Sequence, residues 1–439
     1  MVKSSHKMKN IFVIGQCTLH WGRMEFGNIG NYYIIEPFFR ELHRVFPHAN
    51  IKTTFQMSDG FCEREHVQCV PMDYYYAWDE TYLTVAEKEL AIASLYYETH
   101  ELKETTPYID EVLRSDLIID FSGDIWGRNA DLVGPNRFLI GLIKDRVVQL
   151  LGKPIAMLAS SPGPFNDDET LPFAKQVFEG FSLVTNREPI SRSVLEAYGF
   201  DTSKVVDLAC PAFMFEPASK QDIAPLIQGT PIENKEKPTI GFVLCGWNMI
   251  QGPFNREDWK DEEFVQYVEL ITHIVRDFDV NVCLMSHSNG FILPPNFTPI
   301  KGRDYPIVEQ LYRILQKTEI ADSVYLMDGL YDPKITKGII ANFDMLISGR
   351  VHAAVAGLSQ NVPTVIIDYG HEPKAHKLQG FAQVAAVQQY VANPADKDNL
   401  IEVVDACWNN RKIVAQDLEK RNLVIKELIH KNFDLLRDI

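Results

Sequence analysis

Short apolar runs rich in β-branched residues recur along this chain, separated by stretches with helical periodicity. That alternation limits the fold more than any other feature. In the first half the runs are residues 11–14, 117–121, 155–158 and 183–185, with 205–206 a weaker one. In the second half they are residues 240–244, 280–285, 324–326, 345–347 and 365–367. Each is too short for an independent helix, and many end in Gly, Ser or Pro. They read as strands of parallel sheets covered on both faces. Between them lie amphipathic segments. One opens at Thr84-Val85-Ala86-Glu87 with capping-box spacing. Another runs from Glu188 to Tyr198, with Gly199 placed as its C-terminal cap. The fold class expected is α/β, with two Rossmann-like doubly wound parallel-sheet domains.

The 439 residues suffice for two domains of roughly 100–200 residues each, with room for a third. Composition shifts between residues 216 and 238, where Pro217, Pro225, Gly229, Pro231 and the run Glu233-Asn234-Lys235-Glu236-Lys237-Pro238 read as a linker. The expected division is therefore residues 1–215, a linker at 216–238, a second domain at 239–411 and a closing helix at 412–439. A net charge of −16 argues against a nucleic-acid duplex or an acidic membrane surface as a partner. It does not exclude a phosphate-bearing substrate in a local basic pocket. The seven cysteines are odd in number and scattered, which fits reduced thiols better than a disulfide framework. The apolar run near the N-terminus is too short for a secretory core or a membrane span, so a cytoplasmic location is expected.

In open α/β sheets, ligands gather where strand ends meet helix N-termini. The most informative such turn is Ser348-Gly349-Arg350-Val351-His352, between an apolar strand and a small-residue helix. Free backbone N–H groups and the helix dipole favour an anion there, and arginine adds a fork that matches carboxylate or phosphate. The competing reading has Arg350 capping a partner helix and His352 as a satisfied core histidine. A second strand delivers Arg187 to a helix start in Thr185-Asn186-Arg187-Glu188-Pro189; the bland alternative is a surface pair with Glu188. Further turns offer Gly27, Asn28, Gly30 and Asn31, then Gly123 and Asp124, then Ser161 and Gly163, and finally His287. Cys62, His66 and Cys69, with Cys17 and His20 elsewhere, match no complete zinc module, so no metal is expected. The aromatic segment 247–259 reads as a sugar-facing loop or as packing.

Together these turns resemble the polysaccharide pyruvyl transferase family, as separated motifs over roughly residues 10 to 385. The match rests first on Ser348-Gly349-Arg350-Val351-His352-Ala353, followed by Val362-Pro363 and by Tyr369 with Lys374 or Lys377. Arg187-Glu188-Pro189 with Ser191, Ser161-Pro162-Gly163-Pro164, Pro211-Ala212-Phe213 and Gly27-Asn28-Ile29-Gly30 add to it. The resemblance implies a GT-B-type arrangement with an acceptor side in the first domain and a donor side in the second. It implies phosphoenolpyruvate (PEP) as donor, a pyruvate ketal on a sugar as product, and no metal or redox cofactor. Arg187 and Arg350 would converge on PEP, His352 would supply a proton, and Lys374 or Lys377 would balance the departing phosphate. The acceptor would be a glycan, or a lipid-linked or nucleotide-linked sugar; oligomeric state, homo-oligomers included, is left open. Two residues depart from the family's pattern: Asn31 stands where an acid is usual, and Asp124 where a second glycine is common. A nucleotide-sugar glycosyltransferase or epimerase would use the same turns, as would a non-catalytic relative.

Overall fold

A computed structural model of the chain describes residues 9–234, 236–252, 256, 258–369 and 375–439. It divides into two compact units. The first comprises Met1–Met24, Phe38–Cys210 and Leu428–Ile439, and the second Glu25–Pro37 and Pro211–Glu427.

The first unit holds strands β1 (Asn10–Ile14), β2 (Asn50–Thr53), β3 (Val67–Cys69), β4 (Leu117–Asp120), β5 (Ile155–Ser160), β6 (Leu183–Asn186) and β7 (Val205–Asp207). All neighbours pair in parallel, in the order β3-β2-β1-β4-β5-β6-β7. Chain direction through the sheet reverses between β1 and β4, which makes their carboxyl ends the switch point where a ligand is expected. Helices α1 (Ile29–Val45), α2 (Asp59–Glu65), α3 (Tyr82–Thr99), α4 (Pro107–Arg114), α5 (Arg137–Leu150), α6 (Thr170–Glu179) and α7 (Ile190–Ala197) intervene.

The second unit continues with helix α8 (Lys220–Ile227), strands β8 (Thr239–Val243) and β9 (Asn281–Met285), and a hairpin of β10 (Asn289–Ile292) and β11 (Thr298–Lys301). It then adds β12 (Val324–Met327), β13 (Met345–Ser348), β14 (Thr364–Ile367) and β15 (Val391–Ala392). Helices α9 (Val265–Phe278), α10 (Tyr305–Leu315), α11 (Pro333–Ile340), α12 (Val351–Leu358), α13 (His376–Val384) and α14 (Lys397–Asp434) complete it. Its sheet runs β12-β9-β8-β13-β14-β15, so the second switch point lies between β8 and β13. Ser348 ends β13, which puts the predicted anion corner at that switch point.

Every apolar run read from the sequence forms a strand. The strands not foreseen are β2, β3, β15 and the hairpin. β2 alternates half-buried and buried residues, and Lys52 spends its charge on Glu111 at 2.8 Å, so no continuous apolar run marks it. The domain division needs correction. The stretch 216–238 is more than a linker, because α8 lies in it and packs on α11; Ser219 caps α8 by accepting from Asp222 N. The closing helix starts at Lys397 rather than 412, and its last residues belong to the first unit. Most consequentially, Glu25–Pro37 belongs to the second unit, the boundary falling inside α1 at Pro37, where the helix lacks a backbone donor.

Below the β1/β4 switch point the core is not wholly apolar. Asp120 and Asp145 are fully buried and act on each other, and Asp120 Oδ2 and Asp145 Oδ1 accept from no N–H or O–H donor of the described residues. Asp120 also accepts from Ser122 Oγ at 2.7 Å, and Asp145 from Trp126 Nε1 at 3.2 Å. Two ionised carboxylates cannot share such a place, so burial pushes the Asp120 carboxyl up to about 7 and Asp145 well above its usual range. Ser122 Oγ in turn accepts from Gln16 N at 2.9 Å, so the pair holds the turn that carries Gly123 and Asp124. A carboxyl raised on folding stabilises fully below its unfolded value of 3.8, and that contribution is lost as pH rises through about 7. Asp145→Asn keeps an acceptor for Trp126 and adds a neutral donor for Asp120. Thermal melts should show the parent losing stability between pH 5 and 8. The variant should lie about 5 °C higher at pH 8, roughly 2 kcal/mol in a unit of this size, and lose less stability across the range than the parent, since burial still raises Asp120.

Candidate functional site

In the second unit, β13 runs into Ser348 and Gly349, and Arg350 takes the N-cap position of α12 with extended backbone (φ −119°, ψ 131°). Ser348 Oγ accepts from Arg350 N at 3.2 Å and donates to Arg350 O at 2.8 Å, which fixes the turn. Gly349 is required by close approach: a Cβ there would lie 1.9 Å from Asn248 Oδ1. Asn248 is held by accepting from Cys245 N at 2.9 Å and donating to Ile367 O at 3.3 Å. The N–H groups of Val351, His352 and Ala353 precede the first intrahelical bond, from Ala354 N to Arg350 O, and face out of the helix end.

The Arg350 fork is not open, as the sequence reading had it. Its Nε and Nη2 each donate at 2.6 Å to the two oxygens of Asp304, a residue only 1% exposed at its side chain. Asp304 raises the guanidinium further above its usual range. The pair leaves Nη1 outside the bidentate contact. Asp304 carries no sequence signal: it lies 46 residues away, ahead of α10, and looks like an ordinary acid at a helix start. It was missed for that reason.

His352 sits in the first turn of α12, 8% exposed, with Phe381 edge-on at 5.7 Å. Its imidazole packs on Gly30: a Cβ on Gly30 would lie 2.6 Å from His352 Cβ and 2.7 Å from Nδ1. Gly30 is the second residue of α1, and Asn28 caps that helix by accepting from Gly30 N at 3.0 Å. Asn31, half-buried, closes the same turn through its N–H to Asn28 O at 2.9 Å. Gly27 ends the preceding π-helical turn. The segment 27–31, expected on the acceptor side of the first domain, therefore lies in the second unit, where the N-termini of α1 and α12 meet across His352 and Gly30.

His287 is fully buried, with Nε2 3.2 Å from Tyr33 Oη. Burial, with Arg350's charge second, pulls it down to about 3, so it stays a neutral imidazole and cannot be the acid. Tyr369 lies 5.9 Å from the Trp247 ring. Lys377 is buried in the first turn of α13, whereas Lys374 falls outside the described residues.

In the first unit, β6 delivers Arg187 to the turn before α7. Arg187 is 1% exposed, which excludes the surface pair with Glu188; Glu188 instead accepts from Ser191 N at 3.1 Å. Arg187 Nε donates to Ser161 Oγ at 2.9 Å, and Nη2 lies 3.8 Å from Asp124 Oδ1. Gly123, at φ +60°, presents its bare Cα beside the guanidinium, with a Cβ position 3.8 Å from Nη1. Ser161 N donates to Gly123 O at 2.7 Å, which ties the two turns together. Gly163 is more remote, its N–H going to Trp126 O at 2.9 Å. So Arg187, Gly123, Asp124 and Ser161 form one cluster at the first switch point. Among the described residues, no group of three or more His, Cys, Asp or Glu side chains is placed to hold a metal; Cys62 and Cys69 have their Sγ atoms 3.3 Å apart.

Comparison with known proteins places these two corners in context. A family model described as polysaccharide pyruvyl transferase matches residues 28–371. The amylovoran biosynthesis protein AmsJ of Erwinia amylovora is 23% identical over 270 residues, which are 60% of this chain and 59% of that protein. The chain thus spans less than two thirds of that relative's length. Among solved structures, HepE of Anabaena in complex with UDP has a TM-score of 0.54 at 12% identity, covering 98% of both chains. The UDP-GlcNAc 2-epimerase of Neisseria meningitidis bound to UDP-GlcNAc has a TM-score of 0.54 at 10% identity, covering 98% of this chain and 99% of that one. At that identity the likeness shows the fold alone, the two-Rossmann class of GT-B enzymes.

Proposed function

Since this chain belongs to the polysaccharide pyruvyl transferase family, we propose that it transfers a pyruvyl group from PEP to two hydroxyls of a sugar, forming a ketal and releasing phosphate. The observation that carries the reading is the start of α12, where Arg350, its guanidinium fixed by Asp304, is followed by His352, whose imidazole packs on Gly30 at the start of α1.

PEP carries a phosphate and a carboxylate, and the N–H groups that precede the first intrahelical bond of α12, with Arg350 Nη1 as a further donor, suit one of these anions. Asp304 serves as a positioning residue: it binds two of the guanidinium's three nitrogens and so fixes the plane that carries Nη1. His352 is the group that protonates the PEP methylene carbon, turning it into a methyl and making the adjacent carbon electrophilic. The first sugar hydroxyl adds to that carbon, the C–O bond to phosphate breaks, and the second hydroxyl closes the ketal. Of the two hydroxyl protons, one replaces that taken from His352 and the other leaves with phosphate. Lys377, or Lys374, is assigned the charge of the departing phosphate.

Arg187 enters as an independent test. Asp124 partly offsets its charge, so removing Asp124 and removing Arg187 should have opposite signs. Arg187→Ala is expected to lower phosphate release at least 50-fold, while Asp124→Gly leaves release at or above the parent level. Equal losses in both would remove Arg187 from the anion-binding role.

The reading is tested by incubating the full chain with PEP and candidate acceptors and following phosphate release with mass spectrometry of the sugar. Acceptor-dependent phosphate and a sugar heavier by one pyruvyl ketal are expected. Turnover of a UDP-sugar with no use of PEP would replace this reading with a glycosyltransferase or epimerase.

A further inference from the structure

Two cysteines of the first unit take no part in the chemistry above and lie side by side. Cys62 and Cys69 have their Sγ atoms 3.3 Å apart, and both side chains are half-buried rather than sealed in the core. The local fold sets this distance. Cys62 is the fourth residue of α2, its N–H donating to Ser58 O at 3.0 Å. The helix ends at His66, which stands in the left-handed region (φ 53°, ψ 47°) and donates its own N–H to Cys62 O. That conformation turns the chain back at once, and β3 begins on the next residue. β3 is the edge strand of its sheet, held by β2 through the pairs Ile51↔Val67 and Thr53↔Cys69. Val70 N then donates to Thr53 O at 2.8 Å. Backbone bonds on both sides therefore keep the two cysteines together.

The other five thiols are placed differently. Cys210, Cys245, Cys283 and Cys407 are 0% exposed. Burial pushes the Cys245 thiol up to about 11, and those of Cys17 and Cys407 up to about 12. The thiolate is the form that reacts, and these groups hold almost none of it near neutral pH. Cys62 and Cys69 are the pair that a small oxidant can reach. A disulfide bond is about 2.05 Å long, so from 3.3 Å each sulfur has only about 0.6 Å to move.

We propose that Cys62 and Cys69 form a dithiol site that hydrogen peroxide oxidises reversibly to an internal disulfide. One thiolate attacks a peroxide oxygen, the O–O bond breaks, and a sulfenic acid forms as hydroxide leaves. The second thiolate attacks that sulfur, the S–S bond forms, the S–O bond breaks and a second hydroxide leaves. The two hydroxides take up the two thiol protons as water, and two electrons pass from the sulfurs to the peroxide. An external dithiol returns the pair to its reduced state. The site stands independently of the donor reading, since it is measured without substrate.

The test is mass spectrometry of the full chain, reduced, freed of reductant and exposed to hydrogen peroxide near neutral pH, then blocked with iodoacetamide in denaturant. Of the seven thiols, five should remain open to alkylation. Trypsin cuts after Arg64, between the two cysteines, so the disulfide should join peptides 53–64 and 65–88. Dithiothreitol should part them again. Cys62→Ser, close in size and at a half-buried position, should lose the joined species with its melting temperature unchanged. Simple packing of two thiols leaves all seven open to alkylation, and that result would overturn the proposal. So would oxidation that stops at single sulfenic or sulfinic acids, or a link that forms as readily in the urea-unfolded chain as in the native one. A reductant-sensitive dimer in place of the internal link would overturn it as well.

Discussion

Arg350→Lys is expected to lower kcat/KM for PEP-dependent phosphate release by at least 100-fold. The guanidinium makes two parallel bonds of 2.6 Å to Asp304 and still has Nη1 in hand. An ammonium on a flexible stem can reach the carboxylate or the ligand, but it cannot hold both in a fixed plane. A factor of 100 is about 2.7 kcal/mol, within the range of one or two charge-assisted bonds. Stability should fall too, because Asp304 is almost fully buried and loses half its partner. The two effects separate in the kinetics: Asp304→Asn should raise KM for PEP while sparing kcat more, since it loosens the arginine without removing it. Arg350→Lys with parental kcat/KM would end the proposed role of this corner in the reaction.

Gly30→Ala should be as damaging to turnover and much gentler to the fold. Nothing in the α1 backbone objects to alanine, which is favoured over glycine in a helix by about 1 kcal/mol. What objects is His352, whose Cβ and Nδ1 would stand 2.6 and 2.7 Å from the new methyl. The ring must shift by several tenths of an ångström or turn, and Phe381 on its flank limits where it can go. Misplacing a proton donor on that scale costs on the order of 100-fold in kcat. A melting temperature within a few degrees of the parent, with kcat down by that factor and KM little changed, is the expected pattern. If kcat is kept, His352 is not the proton donor.

These residues show where sequence was readable. The runs ending at Ile14, Phe121 and Ile347 are buried on both faces, so each is an uninterrupted apolar word. β2 and β15 are half-exposed or two residues long, and no run marks them. The turn at Ser348–His352 was legible because strand, glycine, arginine and small-residue helix follow one another directly. Asp304 was not, since an acid before a helix is commonplace and only the third dimension brings it to Arg350. The segment 27–31 misled in a different way. Its motif was seen, but linear order assigned it to the first domain, whereas Gly30 meets His352, far along the chain in the second. Glycine at that point announces close approach without saying to what.

The most direct measurement is calorimetric titration of PEP into the full chain and into Arg350→Lys. PEP should bind the parent, with the affinity falling at least 50-fold in the variant, while UDP-GlcNAc gives no heat. Equal PEP binding by both proteins, or binding of UDP-GlcNAc without PEP, would contradict the assignment of this corner to the donor.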